Sequence, residues 1–170
     1  MPTHSEQKTL PYSAAQMYAL VADVESYPEF LPWCAAARIR SRRPLSRAEA
    51  ESEAQDAPAS PASPASEVLE ADLVISFKVF RERFGSRVVL HPDACQIDTA
   101  YLDGPFQHME NRWQFKDLPE GGCMVDFFVD FEFKNRVLQG VVGVVFNEAM
   151  QRIVRAFERR AAELYGPGHA

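Results

Sequence analysis

The sequence predicts an α+β fold in which a curved antiparallel sheet wraps around one long C-terminal helix. Two observations carry this. From Leu69 onward, strand-like segments follow one another with turn signals between them, and the last of them, "CMVDFFVDFEF", alternates apolar and polar residues throughout. That alternation gives the sheet one apolar face. The only long element left to cover that face runs from about Asn135 to Leu164, so the sheet must curl around it.

Each element can be justified in order. Lys8 to Leu10 closes a short first strand. In "PYSAAQMYALVADV", Ser13 is placed to cap a helix, and Met17, Leu20, Val21 and Val24 recur at helical spacing over about three turns. Pro28 and Pro32 bracket Phe30 and Leu31 in "ESYPEFLPWC", predicting a short helical turn before the next strand. In that strand, "WCAAARIR", the phase puts Trp33, Ala35, Ala37 and Ile39 on the inner face. From about Pro44 to Ser66 the chain turns into "PLSRAEAESEAQDAPASPASPAS", without aromatic or β-branched residues, and reads as a disordered insertion between two strands of a single domain spanning 1–170. "LEADLVISF", "FRERFGSRVVL", "CQIDTAYL", "HMENRWQFK" and "CMVDFFVDFEF" then follow as strands. In the second of these, Phe80, Phe84, Val88 and Leu90 share one phase, while Arg81, Arg83 and Arg87 take the solvent phase.

Composition narrows the function classes. The 170 residues are 46% hydrophobic and 25% charged, enough for one core burying roughly 70% of the unfolded surface. With a formal net charge of -6 nucleic acid is not the default partner, although a local basic patch is compatible with it. Cys34, Cys95 and Cys123 form no CxxC and fit small core residues in a reducing cytosol rather than disulfides or a zinc site. The N-terminus carries no signal or transit pattern, and the apolar run Val137 to Phe146 is too short to span a bilayer.

With "YSAAQMYALVADVESYPEFLPWC", "LDGPF" and "VDFEFKN" occurring in that order, the chain resembles the coenzyme Q-binding group of the START-like, helix-grip superfamily. Its bacterial members include the ribosome association toxin, and it is often grouped with polyketide cyclases. The resemblance covers nearly the whole chain outside the insertion, which departs from it. It implies an apolar tunnel between sheet and helix holding ubiquinone or another lipid, in the cytoplasm of a bacterium and peripherally at the inner membrane. No further cofactor is implied.

Helical phase is consistent with such a tunnel. At about 100° per residue, Leu138, Val142, Val145, Phe146, Ala149, Ile153 and Phe157 share one stripe toward the sheet. The opposing strip runs Val137, Val141, Val144, Glu148, Arg152, Arg155, Arg159, apolar first and basic after. Gly140 and Gly143 each cost about 1 kcal/mol in a helix interior, which suggests close approach of something to the backbone. The valines then meet the "YPEFLPW" segment, a membrane or a partner. From strand phase and the resemblance together, the expected lining is Trp33, Ala35, Trp113, Phe115, Phe127, Val129, Val142, Val145 and Phe146, with Tyr27, Pro28, Phe30, Leu31 and Phe106 around a mouth. Arg152, Arg155 and Arg159 either complement the helix dipole or contact anionic headgroups or ribosomal RNA.

An enzyme is not expected. The alternation in "HMENRWQFK" turns Met109, Asn111, Trp113 and Phe115 inward and sends His108 and Glu110 to solvent, and His4 and His169 lie at the termini. No metal-ligand spacing and no glycine-rich nucleotide loop is present. Three readings remain: a polyprenyl-quinone or lipid carrier serving respiration, a regulator that binds the large ribosomal subunit and blocks subunit joining, and a polyketide cyclase or aromatase, for which inward acids and bases are lacking.

Overall fold

Seven antiparallel strands form one sheet in the computed structural model, which describes residues 3–44, 66–77 and 80–166. Of Phe77, Phe80, Leu138, Val142 and Val145 only the backbone is described. The predicted insertion at 44–66 falls almost wholly outside the described residues.

β1 (Thr3–Leu10) is longer than expected and buries His4 on the inner face. The His4 ring contacts Asn147 Oδ1 at 3.2 Å and Glu6 Oε1 at 2.9 Å, tying the strand to the C-terminal helix. α1 (Ala14–Ala22) starts with a full capping box: Ser13 Oγ accepts from Gln16 N–H, and Gln16 Oε1 accepts from Ser13 N–H. Asp117 accepts from Ala14 N–H at 2.8 Å and pins the helix start to the sheet. A 3-10 turn (Val24–Glu29) follows, and the Tyr27 hydroxyl donates to the Val21 carbonyl, one of the acceptors left over at the end of α1.

β2 (Cys34–Pro44), β3 (Glu67–Phe77), β4 (Phe80–His91), β5 (Gln96–Asp103), β6 (Phe106–Asp117) and β7 (Cys123–Phe133) complete the sheet, whose strand order is β1-β7-β6-β5-β4-β3-β2. The alternation read in β7 holds at every residue: Cys123, Val125, Phe127, Val129, Phe131 and Phe133 are buried, and those between them are half-buried. Between β5 and β6 the "LDGPF" turn needs its glycine. Gly104 has φ 134°, and a Cβ there would lie 2.8 Å from both the Arg83 carbonyl oxygen and Phe84 Cα.

β2 departs from the simple alternation. Its register against β3 shifts between Cys34 and Ala36 and again between Ile39 and Ser41, so Ala35 and Arg40 are extra residues in bulges. Ala35 is therefore exposed, contrary to the phase reading, and Cys34 faces inward in its place.

α2 (Arg136–Tyr165) crosses the concave face. Its second half is firmly packed: Met150, Val154, Phe157 and Ala161 are buried, Lys8 pairs with Glu158, and Arg160 bridges to Glu29 at 3.1 Å and covers the Phe30 ring. The first half differs. Val137, Val141 and Val144 are 70%, 38% and 87% exposed, and among the described residues nothing lies within 4 Å of where a Cβ would stand on Gly140 or Gly143. The glycines mark no close approach by any described residue. Among the described residues no helix is long and apolar enough to cross a membrane.

Candidate functional site

Between the concave face and α2 lies a cavity of about 290 Å³. Phe84 and Val88 of β4, Trp113 of β6 and Phe127, Val129 and Phe131 of β7 form buried wall on the sheet side. Ala149, Met150, Ile153 and Phe157 close it from the helix. The half-buried Leu31, Pro32, Trp33 and Cys34, with the exposed Glu82, form the rim.

Local structure explains these positions. Trp33 has φ 65°, in the left-handed region that non-glycine residues rarely occupy, and its carbonyl accepts from Ser76 N–H at 2.9 Å. The conformation turns the chain from the Pro-flanked segment into β2 and sets the indole at the cavity. Tyr27 and Phe30 pack edge-on against Phe157, with ring centroids 5.5 and 5.2 Å away. Trp113 lies 4.5 Å from Phe127 and 5.0 Å from Phe157, joining sheet to helix. Phe106 meets Phe84, Tyr101, Phe131 and Phe133 at 4.7 to 5.5 Å and closes one end.

Burial also tunes the polar groups here. It pushes the Cys34 thiol up to about 11 and raises the Tyr27 phenol well above its ordinary value, so both stay protonated at neutral pH. Among the described lining residues, Glu82 at the rim is the one acidic side chain.

Of the residues expected at the cavity, Tyr27, Leu31, Trp33, Phe106, Trp113, Phe127 and Val129 line it, with Phe106 a buried wall residue rather than part of a mouth. Five do not. Ala35 is turned outward by the bulge. Phe115 stacks on Trp113 inside the core, and Phe146 packs on Phe131 at 5.0 Å. Phe30 covers Phe157 from outside the lining, and Pro28 sits in the 3-10 turn. The side chains of Val142 and Val145 lie outside the described residues. Met150 was missed although it stands four residues after Phe146 and seven before Phe157, within the same stripe. Ser86 and Thr99 were missed because a search for apolar phase passes over hydroxyl residues.

The expected basic contact is open to solvent: Arg152, Arg155 and Arg159 are exposed, with Arg152 paired to Glu148 at 3.3 Å. His108 and Glu110 take the outer phase of β6, and His108 meets Asp130 at 3.3 Å.

The sequence pattern of the polyketide cyclase / dehydrase and lipid transport family matches residues 10–158. The chain belongs to this family. Two differently named proteins are among those it resembles. The ribosome association toxin RatA of Rickettsia prowazekii is 33% identical over 168 residues, which cover 96% of this chain and 99% of that protein. The mitochondrial coenzyme Q-binding protein COQ10 homolog B of Xenopus laevis is 32% identical over 96% of this chain, and the match spans 59% of that protein's length. The solution structure of an 18 kDa Caulobacter crescentus protein is 30% identical and superposes with a TM-score of 0.72, covering 98% of this chain and 99% of that one. The resemblance read from the three motifs, and the curved sheet around a C-terminal helix, are both borne out at the level of the family.

Proposed function

We propose that the chain is a carrier that holds a polyprenyl quinone such as ubiquinone, or a similar lipid, between sheet and helix, and performs no chemistry on it. The observation that carries this is the cavity itself: about 290 Å³ of largely apolar, aromatic-rich space with a rim that opens to solvent. That volume sits near the low end of ligand pockets, about 300–1,000 Å³, so it suits a head and the first part of a chain, with a long tail leaving over the rim. The name of the coenzyme Q-binding relative agrees with this ligand class. The exposed Val137, Val141 and Val144, beside the exposed cations Lys134 and Arg136, favour peripheral contact with an anionic membrane surface, where such a ligand would be loaded. Detergent-free protein from a quinone-producing host, extracted with solvent and weighed by mass spectrometry, should release near-stoichiometric quinone. An extract without lipid from folded protein would overturn the reading.

A second reading has its own observation. Arg155 and Arg159 are exposed and make no ion pair among the described residues, leaving two cations free on one helix face for an RNA or phosphate contact. Together with the name of the RatA relative, this supports binding to the large ribosomal subunit. Co-sedimentation with large subunits that falls several-fold in an Arg155→Glu, Arg159→Glu variant would favour it; identical sedimentation of both proteins would remove it.

A further inference from the structure

Away from the rim, the described strand residues of the cavity wall are apolar except along one short stretch. Ser86, Thr99 and Asn111 come from the adjacent strands β4, β5 and β6 and all face the cavity. Thr99 and Asn111 are register partners, flanked in the same row by Val88 and Val129. Their Cβ atoms therefore stand about 4.5–5.5 Å apart, close enough for both to reach one small head group.

Their hydrogen bonding differs in a telling way. Ser86 Oγ donates to the Ala71 carbonyl at 3.3 Å. Asn111 Nδ2 donates to the Phe128 carbonyl at 2.8 Å, which fixes the amide orientation, since the flipped form would set oxygen against oxygen. The Asn111 carbonyl oxygen is thereby turned away from its neighbour strand. Neither it nor the Thr99 hydroxyl makes a hydrogen bond to any described residue. Both residues are half-buried, so water can satisfy these oxygens while the cavity is empty, and a bound head group must replace those water bonds. Asn111 Oδ1 can only accept; the Thr99 hydroxyl can donate or accept.

Charge narrows the ligand further. No Lys, Arg or His is among the described lining residues, and the charged group that is present, Glu82, is acidic. An ionised carboxylate or phosphate in this space would be desolvated without a counter-ion.

We infer that the cavity selects an uncharged amphiphile whose head carries a hydroxyl, donating to Asn111 Oδ1 and bonded to Thr99 Oγ1, and that it rejects ionised lipids. This rests on the carrier reading above and sharpens it: a reduced quinol, or a long-chain alcohol, is preferred over an oxidised quinone, which offers acceptors alone.

The test uses three probes of one chain length: 1-dodecanol, its methyl ether and dodecanoate. Trp33 and Trp113, the chain's two tryptophans, both line the cavity, so tryptophan fluorescence reports each titration. The full-length protein should bind the alcohol about tenfold more tightly than the ether, and dodecanoate more weakly still. In Asn111→Leu, and separately in the isosteric Thr99→Val, the preference for alcohol over ether should shrink toward parity while ether binding persists. The wild-type ranking needs no variant, so a misfolded variant does not spare the inference. Equal affinity for all three probes in the wild type, or an unchanged preference in both variants, would overturn the inference and leave the carrier reading standing. Failure of the wild type to bind any of them would overturn both.

Discussion

Ala149→Phe decides between a cavity and a filled core by the sign of its effect. Ala149 lines the cavity from α2 and is half-buried, so a phenyl ring added there enters the cavity instead of displacing a neighbour. Burying a phenylalanine side chain is worth about 1.5–3 kcal/mol, and the lower helix propensity of Phe against Ala removes roughly half a kcal/mol. The net expectation is a stabilisation of about 1–2.5 kcal/mol. For a chain of this size each kcal/mol moves Tm by about 2–4 °C, so thermal unfolding followed by circular dichroism should shift upward by about 2–10 °C. The ring competes for the space a ligand would occupy, so the extract of the variant should lose its lipid. If the site were close-packed, the same change would overpack it and cost about 1–3 kcal/mol. A Tm that falls, or a variant that keeps full lipid loading, would refute the reasoning.

Other expectations follow from single groups. Replacing Gly140 and Gly143 by Ala, where no described residue stands within 4 Å of the new methyls, should stabilise by about 1 kcal/mol each in thermal unfolding; destabilisation would mean that something approaches the helix there. The Cys34 thiol, pushed by burial from an ordinary 9.0 up to about 11, should alkylate at pH 7.5 about 100-fold more slowly than a free thiol, with the rate climbing about tenfold per pH unit. Because the buried thiol is favoured neutral, its contribution to stability is present below pH 9 and is lost as pH rises from 9 toward 11. Tyr27→Phe removes the donor to the Val21 carbonyl and should cost about 0.5–1.5 kcal/mol in denaturant unfolding, with the packing on Phe157 retained.

The inner strand β7 was the easiest part to read, flanked by β1 and β6. β7 sets six buried residues against five half-buried ones without interruption, and a period-2 pattern over eleven residues leaves one possible face inward. Phase alone does not separate a wall from a core. Phe115 and Phe127 share the inner face, yet only Phe127 meets the cavity, because that depends on how far away α2 stands. Ala35 was misplaced because a bulge adds a residue that the alternation cannot reveal. His4 was set aside as terminal, whereas pairing of β1 with β7 places it opposite Val129, under Asn147. Thr99 and Asn111 carry little signal in one strand each, and it is the pairing of β5 with β6 that puts them side by side.

The two bulges in β2 have a further consequence. β2 is an outer strand of an open sheet, a position whose unpaired backbone groups invite another chain to add on. Its extra residues break the even spacing such an addition needs, Arg38, Arg40, Arg42 and Arg43 load the edge with like charge, and Pro44 ends it without an N–H to offer. Strand-by-strand growth into fibres is discouraged at this side. The guard belongs to this edge alone: the helix that bears the bare valines is tied to the opposite edge, where Asn147 and Glu158 meet His4 and Lys8 of β1, so the two exposed features of the molecule stand apart.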